Sequence, residues 1–244
     1  MSRNVRITLT CLSMVLIALY LVFVYAIIPH YEKEPICSGI DIVIADSTHR
    51  KFTEESTLTN RIKQGNLFPT GKPMELISTQ AIEDCVLEYP ILRKAVCYKT
   101  TEGRVHLDIW QRVPVLRVAT GENYFVDDNR QIMPDLASVA AYVPIVTGRV
   151  SKPFAQGELF DFVQYVEDDS FWSAQIEQIH VVSQKRIELI PRIGNQVIIL
   201  GDLIDYERKL DKLKTFYTEA MNKTGWTPYK EIDLRFHGQV VCRK

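Results

Sequence analysis

"DIWQRVPVLRVATGENYFVDDNRQIMPDL", Asp108 to Leu136, holds the densest structural punctuation in the chain. Apolar and polar residues alternate up to Gln111, and a proline follows at 114. Further alternating runs are then separated by Gly121-Glu122-Asn123 and by Asp127-Asp128-Asn129. A period of two is the signature of a half-buried strand. Gly, Asn and Asp supply the backbone conformations that tight turns require. The stretch therefore predicts a strand that ends one domain, a passage through Val113 and Pro114, and a hairpin-rich start to a second domain.

Upstream, "KAVCYKTTEGRVHLDIWQRVP" predicts two strands about a Thr-Glu-Gly turn. Before it, "ISTQAIEDCVLEYP" predicts a helix capped by Ser78 or Thr79. Ile82, Val86 and Leu87 form its apolar side, and Pro90 ends it. "FTEESTLTNRIKQG" predicts another helix, with Thr53 as cap, Glu54 and Glu55 in the first turn, Leu58 and Ile62 on one face, and Gly65 as stop. "GIDIVIAD" alternates as a strand. The order from Gly39 to Pro114 is thus strand, helix, helix, strand, strand.

Downstream, "YVPIVTG" predicts a short strand. "GELFDFVQYVEDD" predicts a helix that buries Leu159, Phe162, Val163 and Val166. "QIEQIHVVSQKRIELIPRIGNQVIILGD" predicts three strands, the last two joined at Gly194-Asn195. "DLIDYERKLDKLKTFYTEAMNK" spaces Leu203, Tyr206, Leu210, Leu213 and Tyr217 as one helical face, with Glu207, Lys209, Asp211, Lys212 and Lys214 on the other. "GWTPY" turns the chain into a final strand, Ile232 to Val241. Alternation sets Ile232, Leu234 and Phe236 toward the core and Asp233, Arg235 and His237 away from it. Gly238 marks a bend or bulge. A strand kept so near a chain end predicts a sheet edge, and an open edge can add a partner's strand.

The N-terminal run "ITLTCLSMVLIALYLVFVYAII", Ile7 to Ile28, has no charged residue. About 20 apolar residues cross a bilayer. Arg3 and Arg6 precede the run, so the N-terminus is expected in the cytoplasm and the bulk outside. A cleaved signal peptide has an apolar core of about 7–15 residues and a small-x-small site. Here the run is longer, and the stretch "VYAIIPHYEK" at its end offers only Ala26 as a small residue, which points to an uncleaved anchor. The net charge of -1 argues against a nucleic-acid binder. Outside the membrane Cys85 and Cys97 fall in adjacent elements and could pair, or stay free as small hydrophobes.

No catalytic constellation emerges. The five histidines, His30, His49, His106, His180 and His237, are scattered without metal-ligand spacing. There is no P-loop, G-x-G-x-x-G or G-x-S-x-G. Asp127-Asp128 and Asp168-Asp169 read as turn and helix-end residues. No cofactor, metal, nucleic acid or small-molecule substrate is expected.

Five stretches among these carry a resemblance. "QRVPVLRV" followed by "YFVDDNRQIMPDL", then "VPIVTG" with Val143, Pro144 and Gly148, then "LGDLIDYERKLDKLKTFY" and "EIDLRFHGQVV", resemble in order the motifs of the bacterial cell-division family FtsQ, called DivIB in some lineages. Asn129-Arg130 stands where that family commonly has a turn glycine. The resemblance implies an α+β chain: cytoplasmic stub, transmembrane anchor and linker over 1–35, a β-α-α-β-β POTRA domain over 36–113, and over 114–244 a mixed β-sheet domain with flanking helices. It further implies a non-enzymatic divisome scaffold in the inner membrane at the septum, regulating peptidoglycan synthesis with FtsB and FtsL. Its partner-binding residues would be Leu234, Arg235, Phe236, His237, Gly238, Gln239, Val240 and Val241, with Arg235 offering a fork to a carboxylate of FtsB. The competing expectation is an anchored extracytoplasmic enzyme acting on the cell wall, which would need clustered nucleophile and base residues.

Overall fold

The computed structural model describes residues 3–27, 35–45, 52–135, 141–221 and 229–244. The first element is helix α1 (Arg3–Ile27), 25 residues long. Over residues 12–26 its apolar side chains are exposed apart from the half-buried Val24, from Leu12 at 62% and Met14 at 71% to Tyr25 at 81%. Among the described residues no helix is long and apolar enough to cross a membrane.

Contacts divide the chain into two compact units. One comprises 1–43, 55–86 and 95–108; the other comprises 44–54, 87–94 and 109–244. The first small sheet is built from β1 (Gly39–Ile44), β2 (Leu92–Lys99) and β3 (Arg104–Gln111), in the order β1-β3-β2. Between β1 and β2 come α2 (Glu55–Gln64) and α3 (Thr79–Leu87), so the strand-helix-helix-strand-strand order is present. Each helix buries the stripe its period dictates: Leu58 and Ile62 from α2, Ile82 and Val86 from α3. Strand β3 turns Val105 and Leu107 inward and Arg104 and His106 outward. Ser78 caps α3, its hydroxyl accepting from the Ala81 N–H at 3.2 Å.

Two expectations here are corrected, and one open alternative is decided. Leu87 points out, at 38% exposure, because it lies one residue past the buried stripe. Thr53 does not cap α2, which begins at Glu55; its N–H donates to Gln111 Oε1 at 3.1 Å and its hydroxyl is buried without a partner among the described residues. Cys85 and Cys97 are free thiols, not a disulfide. Burial pushes the Cys97 thiol up to about 11, which fits an inert small hydrophobe.

The second unit holds a nine-stranded mixed sheet. Its strands are β4 (Pro114–Val118), β5 (Tyr124–Asp127), β6 (Ile132–Pro134), β7 (Ile145–Gly148), β8 (Ile176–Ser183), β9 (Arg186–Pro191), β10 (Val197–Gly201), β11 (Glu231–Asp233) and β12 (Val241–Arg243). They lie in the order β12-β11-β10-β9-β8-β7-β4-β5-β6. The hairpins read from the sequence are antiparallel, while β4–β7, β7–β8 and β10–β11 pair in parallel. Between β7 and β8 run α4 (Lys152–Gln156), α5 (Glu158–Asp168) and α6 (Ser170–Gln175). Leu159, Phe162, Val163 and Val166 of α5 are all fully buried in the main core. Helices α4 and α6 were not read from the sequence, being too short to show a period. Asp169 caps α6 through the Phe171 N–H at 2.8 Å.

The helix after β10 starts later than its periodicity suggested. Residues 202–205 form a turn, and α7 spans Tyr206–Phe216 before a π-helical segment, Tyr217–Met221. Asp205 enters α7 from a left-handed conformation (φ 49°). Leu210, Leu213 and Tyr217 are buried as expected. The turn expected over Gly225 to Pro228 lies outside the described residues.

Candidate docking edge

The last segment is not one strand. Ile232 and Asp233 belong to β11, the chain then turns over Phe236 to Gly238, and Val241 to Arg243 return as β12. β12 pairs antiparallel with β11, with Asp233 opposite Val241 and Glu231 opposite Arg243. Gly238 supplies the reversal, at φ +73° in the left-handed region open to glycine. β12 is the outermost strand of the sheet.

The eight candidate residues separate accordingly. Leu234 is fully buried in the core, and its N–H donates to the Ile199 carbonyl at 2.9 Å. Arg235 does not face outward as a free fork. Its Nε and NH2 grip both oxygens of Asp233, at 2.9 and 2.6 Å, and the Arg235 N–H adds a third bond to that carboxylate. Phe236 is 43% exposed rather than core-facing, and His237, Gly238 and Gln239 are exposed with it. Val240 is partly buried against the main core. Of the eight, only Val241 lies in the edge strand.

Asp233 organises this turn. It is 1% exposed, and a buried carboxylate is tolerable only when paired and hydrogen-bonded. The Arg235 guanidinium holds its carboxyl below the usual carboxylate range against the opposing effect of burial. The aliphatic stem of Arg235 lies against Gly201, where an added Cβ would meet Arg235 Cγ at 2.8 Å. Gly201 is also at φ +86°, so two independent constraints keep a side chain out of that position.

Helix α7 clamps the turn from the other side. Lys212 Nζ donates to the carbonyls of Phe236 at 2.7 Å, Leu234 at 3.1 Å and Gln239 at 3.5 Å. Burial, then the neighbouring Arg208 and Lys209, hold the Lys212 ammonium below the usual lysine range. Lys209 is itself held by Asp202, Nζ to Oδ1 at 2.7 Å. Arg208, Lys209, Lys212, Arg235, Phe236 and His237 line a cleft of about 210 Å3 together with Asp202 and Asp205. The helical period places Lys212 opposite the apolar stripe and does not show this role. Its three carbonyl partners lie more than twenty residues away, and no local pattern signals them.

A larger cleft, about 560 Å3, is lined by Arg117, Tyr142, Glu167, Ser173 and Arg192 among others. The Ser173 hydroxyl is spent on the Ser170 carbonyl at 3.4 Å rather than on a base, so the cleft lacks a nucleophile–base pair on that serine. Among the described residues no three His, Cys, Asp or Glu side chains gather as a metal site.

A three-stranded sheet with two helices, followed by a nine-stranded mixed sheet that ends in the β11–β12 hairpin, is an α+β chain of two units. Residues 35–110 match the model of the POTRA-like domain, and residues 113–243 match that of the FtsQ/DivIB, C-terminal related domain. The chain belongs to the FtsQ/DivIB family, whose members act in bacterial cell division as non-enzymatic scaffolds. No curated protein matches the chain.

Proposed function

We propose that this chain is a membrane-anchored divisome scaffold that regulates septal peptidoglycan synthesis through FtsB and FtsL. In this reading residues 1–35 provide the cytoplasmic stub, the anchor and the linker. Residues 36–113 form the POTRA domain and 114–244 the partner-binding domain, both outside the inner membrane. The anchor reading is supported by the uncharged run Ile7 to Ile28 and by the exposed apolar side chains of α1, a pattern suited to lipid rather than to water.

The observation that carries the docking reading is the position of β12 as the last strand of the sheet. Its outer side leaves backbone N–H and C=O groups for a further strand, and a partner segment that adds there gains main-chain hydrogen bonds without displacing a native strand. FtsB is the expected occupant, on the family relationship. The rail is therefore Val241 to Arg243 with the exposed turn Phe236 to Gln239 beside it, not a continuous Ile232 to Val241.

Proline at the edge tests this. Full-length protein carrying Val241→Pro or Cys242→Pro is used to pull FtsB and FtsL from detergent-solubilised membranes, with domain unfolding measured in parallel. The expected outcome is at least a tenfold loss of capture for the substitution whose N–H faces outward, with the unfolding midpoint retained for that variant. Wild-type capture by both variants rules out the edge as the rail.

A further inference from the structure

At one end of the first unit, the chain that follows the linker is stapled to the loop before α3. Met74 N–H donates to the Pro35 carbonyl at 3.0 Å, Cys37 N–H to Lys72 at 2.9 Å, and Gly71 N–H to Cys37 at 2.8 Å. Ile36 and Pro73 form an antiparallel bridge across this ribbon. The β2–β3 turn closes the same end, Ser38 N–H donating to Gly103 at 2.9 Å. Two apolar side chains stand in solvent on this fixed backbone: Ile36 at 64% and Leu76 at 77% exposure. Their neighbours Cys37 and Met74 are buried, at 1% and 7%, so the outward pair is not a loose end of the core.

The chain length limits what can cover them. Residues 28–34 separate the end of α1 from Pro35, and an extended chain spans about 3.3–3.6 Å per residue, so Pro35 lies within roughly 28 Å of Ile27. Two apolar side chains alone bind lipid weakly. A tether this short raises their effective concentration at the surface to about the millimolar range, where weak contacts are populated. The nearby charges, Lys72 and Lys99 against Glu75 and Glu102, balance; Lys72 and Lys99 are moreover bonded to the Asn66 and Met74 carbonyls. Among the described residues nothing at this end selects anionic lipid.

We propose that this end of the POTRA-like domain rests on the bilayer, with Ile36 and Leu76 set in the boundary between headgroups and acyl chains. The proposal rests on the reading of α1 as a membrane anchor. It makes the domain's orientation at the membrane a property of its own surface rather than of the linker.

The test uses full-length protein reconstituted in phosphatidylcholine vesicles. An environment-sensitive fluorescent amino acid is placed at position 36, at position 76 or, as reference, at the exposed Thr57 of α2. Quenching by headgroup-linked nitroxide lipids is measured, and flotation of each sample reports anchoring. Expected are floating protein in all samples, quenching several-fold stronger at 36 and 76 than at 57, no dependence on added phosphatidylglycerol, and weaker quenching at 36 when Leu76→Ser is introduced. Flotation with equal quenching at all three positions overturns the contact and leaves the anchor standing. Loss of flotation overturns the anchor, and the proposal with it. Quenching that requires phosphatidylglycerol overturns the assignment to the apolar pair.

Discussion

The two ends of the nine-stranded sheet use the same chemical device to opposite effect. At each end an almost fully buried aspartate, Asp127 beside β6 and Asp233 beside β12, is paired with an arginine. At the β6 end, Arg112 grips Asp127 through Nε at 2.7 Å and reaches on with NH2 to the Ile132 carbonyl at 3.1 Å. That carbonyl belongs to the edge strand itself, and Pro134 removes a donor from the same strand. The edge is closed. At the β12 end, Arg235 folds back on Asp233 two residues away and fixes the turn, while Val241-Cys242-Arg243 contains no proline. One edge is blunted in a manner natural sheets use against association; the other is held in shape and pairs with no further strand among the described residues. The difference teaches that a buried ion pair is not in itself a sign of a docking site. What matters is which backbone the guanidinium goes on to occupy.

The largest effect should come from breaking the pair at the open end. Arg235→Glu leaves the carboxylate of Asp233 buried beside a second negative charge, with the N–H of residue 235 as its remaining bond there. Losing one partner of a fully buried pair costs about 3–5 kcal/mol, and because the Arg235 side chain is 43% exposed the lower end of that range, about 3 kcal/mol, is expected. Denaturant titration should show that loss. Arg235→Glu is therefore a stability variant and not a clean probe of partner binding. A loss below about 1 kcal/mol, the scale of an exposed pair, would mean that Asp233 draws its support elsewhere, and the likeness between the two ends would fail.

The closed end should lose less. In Arg112→Met, Asp127 keeps the N–H groups of Gln131 at 2.7 Å and Asn129 at 3.0 Å, so part of its hydrogen bonding survives and a cost of about 2–3 kcal/mol is expected. The same variant uncovers the Ile132 carbonyl, and light scattering should report concentration-dependent association that Arg235→Glu at matched stability does not show. If Arg112→Met stays monodisperse, Arg112 supports the turn but does not close the edge.

Acid sharpens the comparison further. The carboxyl of Asp233 is lowered in the folded protein, so its contribution is present above the unfolded value, near 3.9, and is lost as pH falls through the folded value. Asp169 and Asp202 are lowered as well, by the Phe171 N–H and by Lys209 respectively. Stability should thus fall with pH below about 4. Asp233→Asn should be less stable than wild type at neutral pH and should lose less on acidification; an unchanged acid slope removes Asp233 from the group of carboxylates responsible.

How far this arrangement was legible in the sequence depends on range. The faces of α2 and α5, that of α3 apart from Leu87, and the turns at Gly121, Asp128 and Gly194 followed from period and turn chemistry, since both act over a few residues. The final segment did not. Ile232 faces the core as expected, but Asp233, expected to point away, is buried with it. Leu234 N–H bonds Ile199, and the carbonyls of Leu234, Phe236 and Gln239 bond Lys212, and such tertiary bonds override local pattern. The Asp-Leu-Arg spacing was the available clue, since residues two apart on a strand share a face and can pair. Position 130 was legible as a departure but not in its consequence. Arg130 takes φ +59° where glycine is usual, and its guanidinium stacks at 4.5 Å over Phe160 and pairs with Asp161.

The smallest expected effect is at the rim of the open edge. Arg243 and Glu231 face each other across β12 and β11 with a 3.0 Å contact, at 59% and 39% exposure. Such pairs contribute about 0–1 kcal/mol, because solvent screens them and both side chains lose rotamer freedom. What holds β12 is its ladder to β11, the Lys230 N–H on the Arg243 carbonyl at 2.8 Å, and the packing of Val240 and Cys242 against the core. Arg243→Gln should accordingly shift the unfolding free energy by less than about 1 kcal/mol, with amide hydrogen exchange in β11 and β12 unchanged. A cost near that of Arg235→Glu would mean that charge and not backbone pairing keeps the strand in place. The open edge would then be a side-chain device like its closed counterpart, and a partner strand would have to compete with Glu231 for Arg243 before it could add to the sheet.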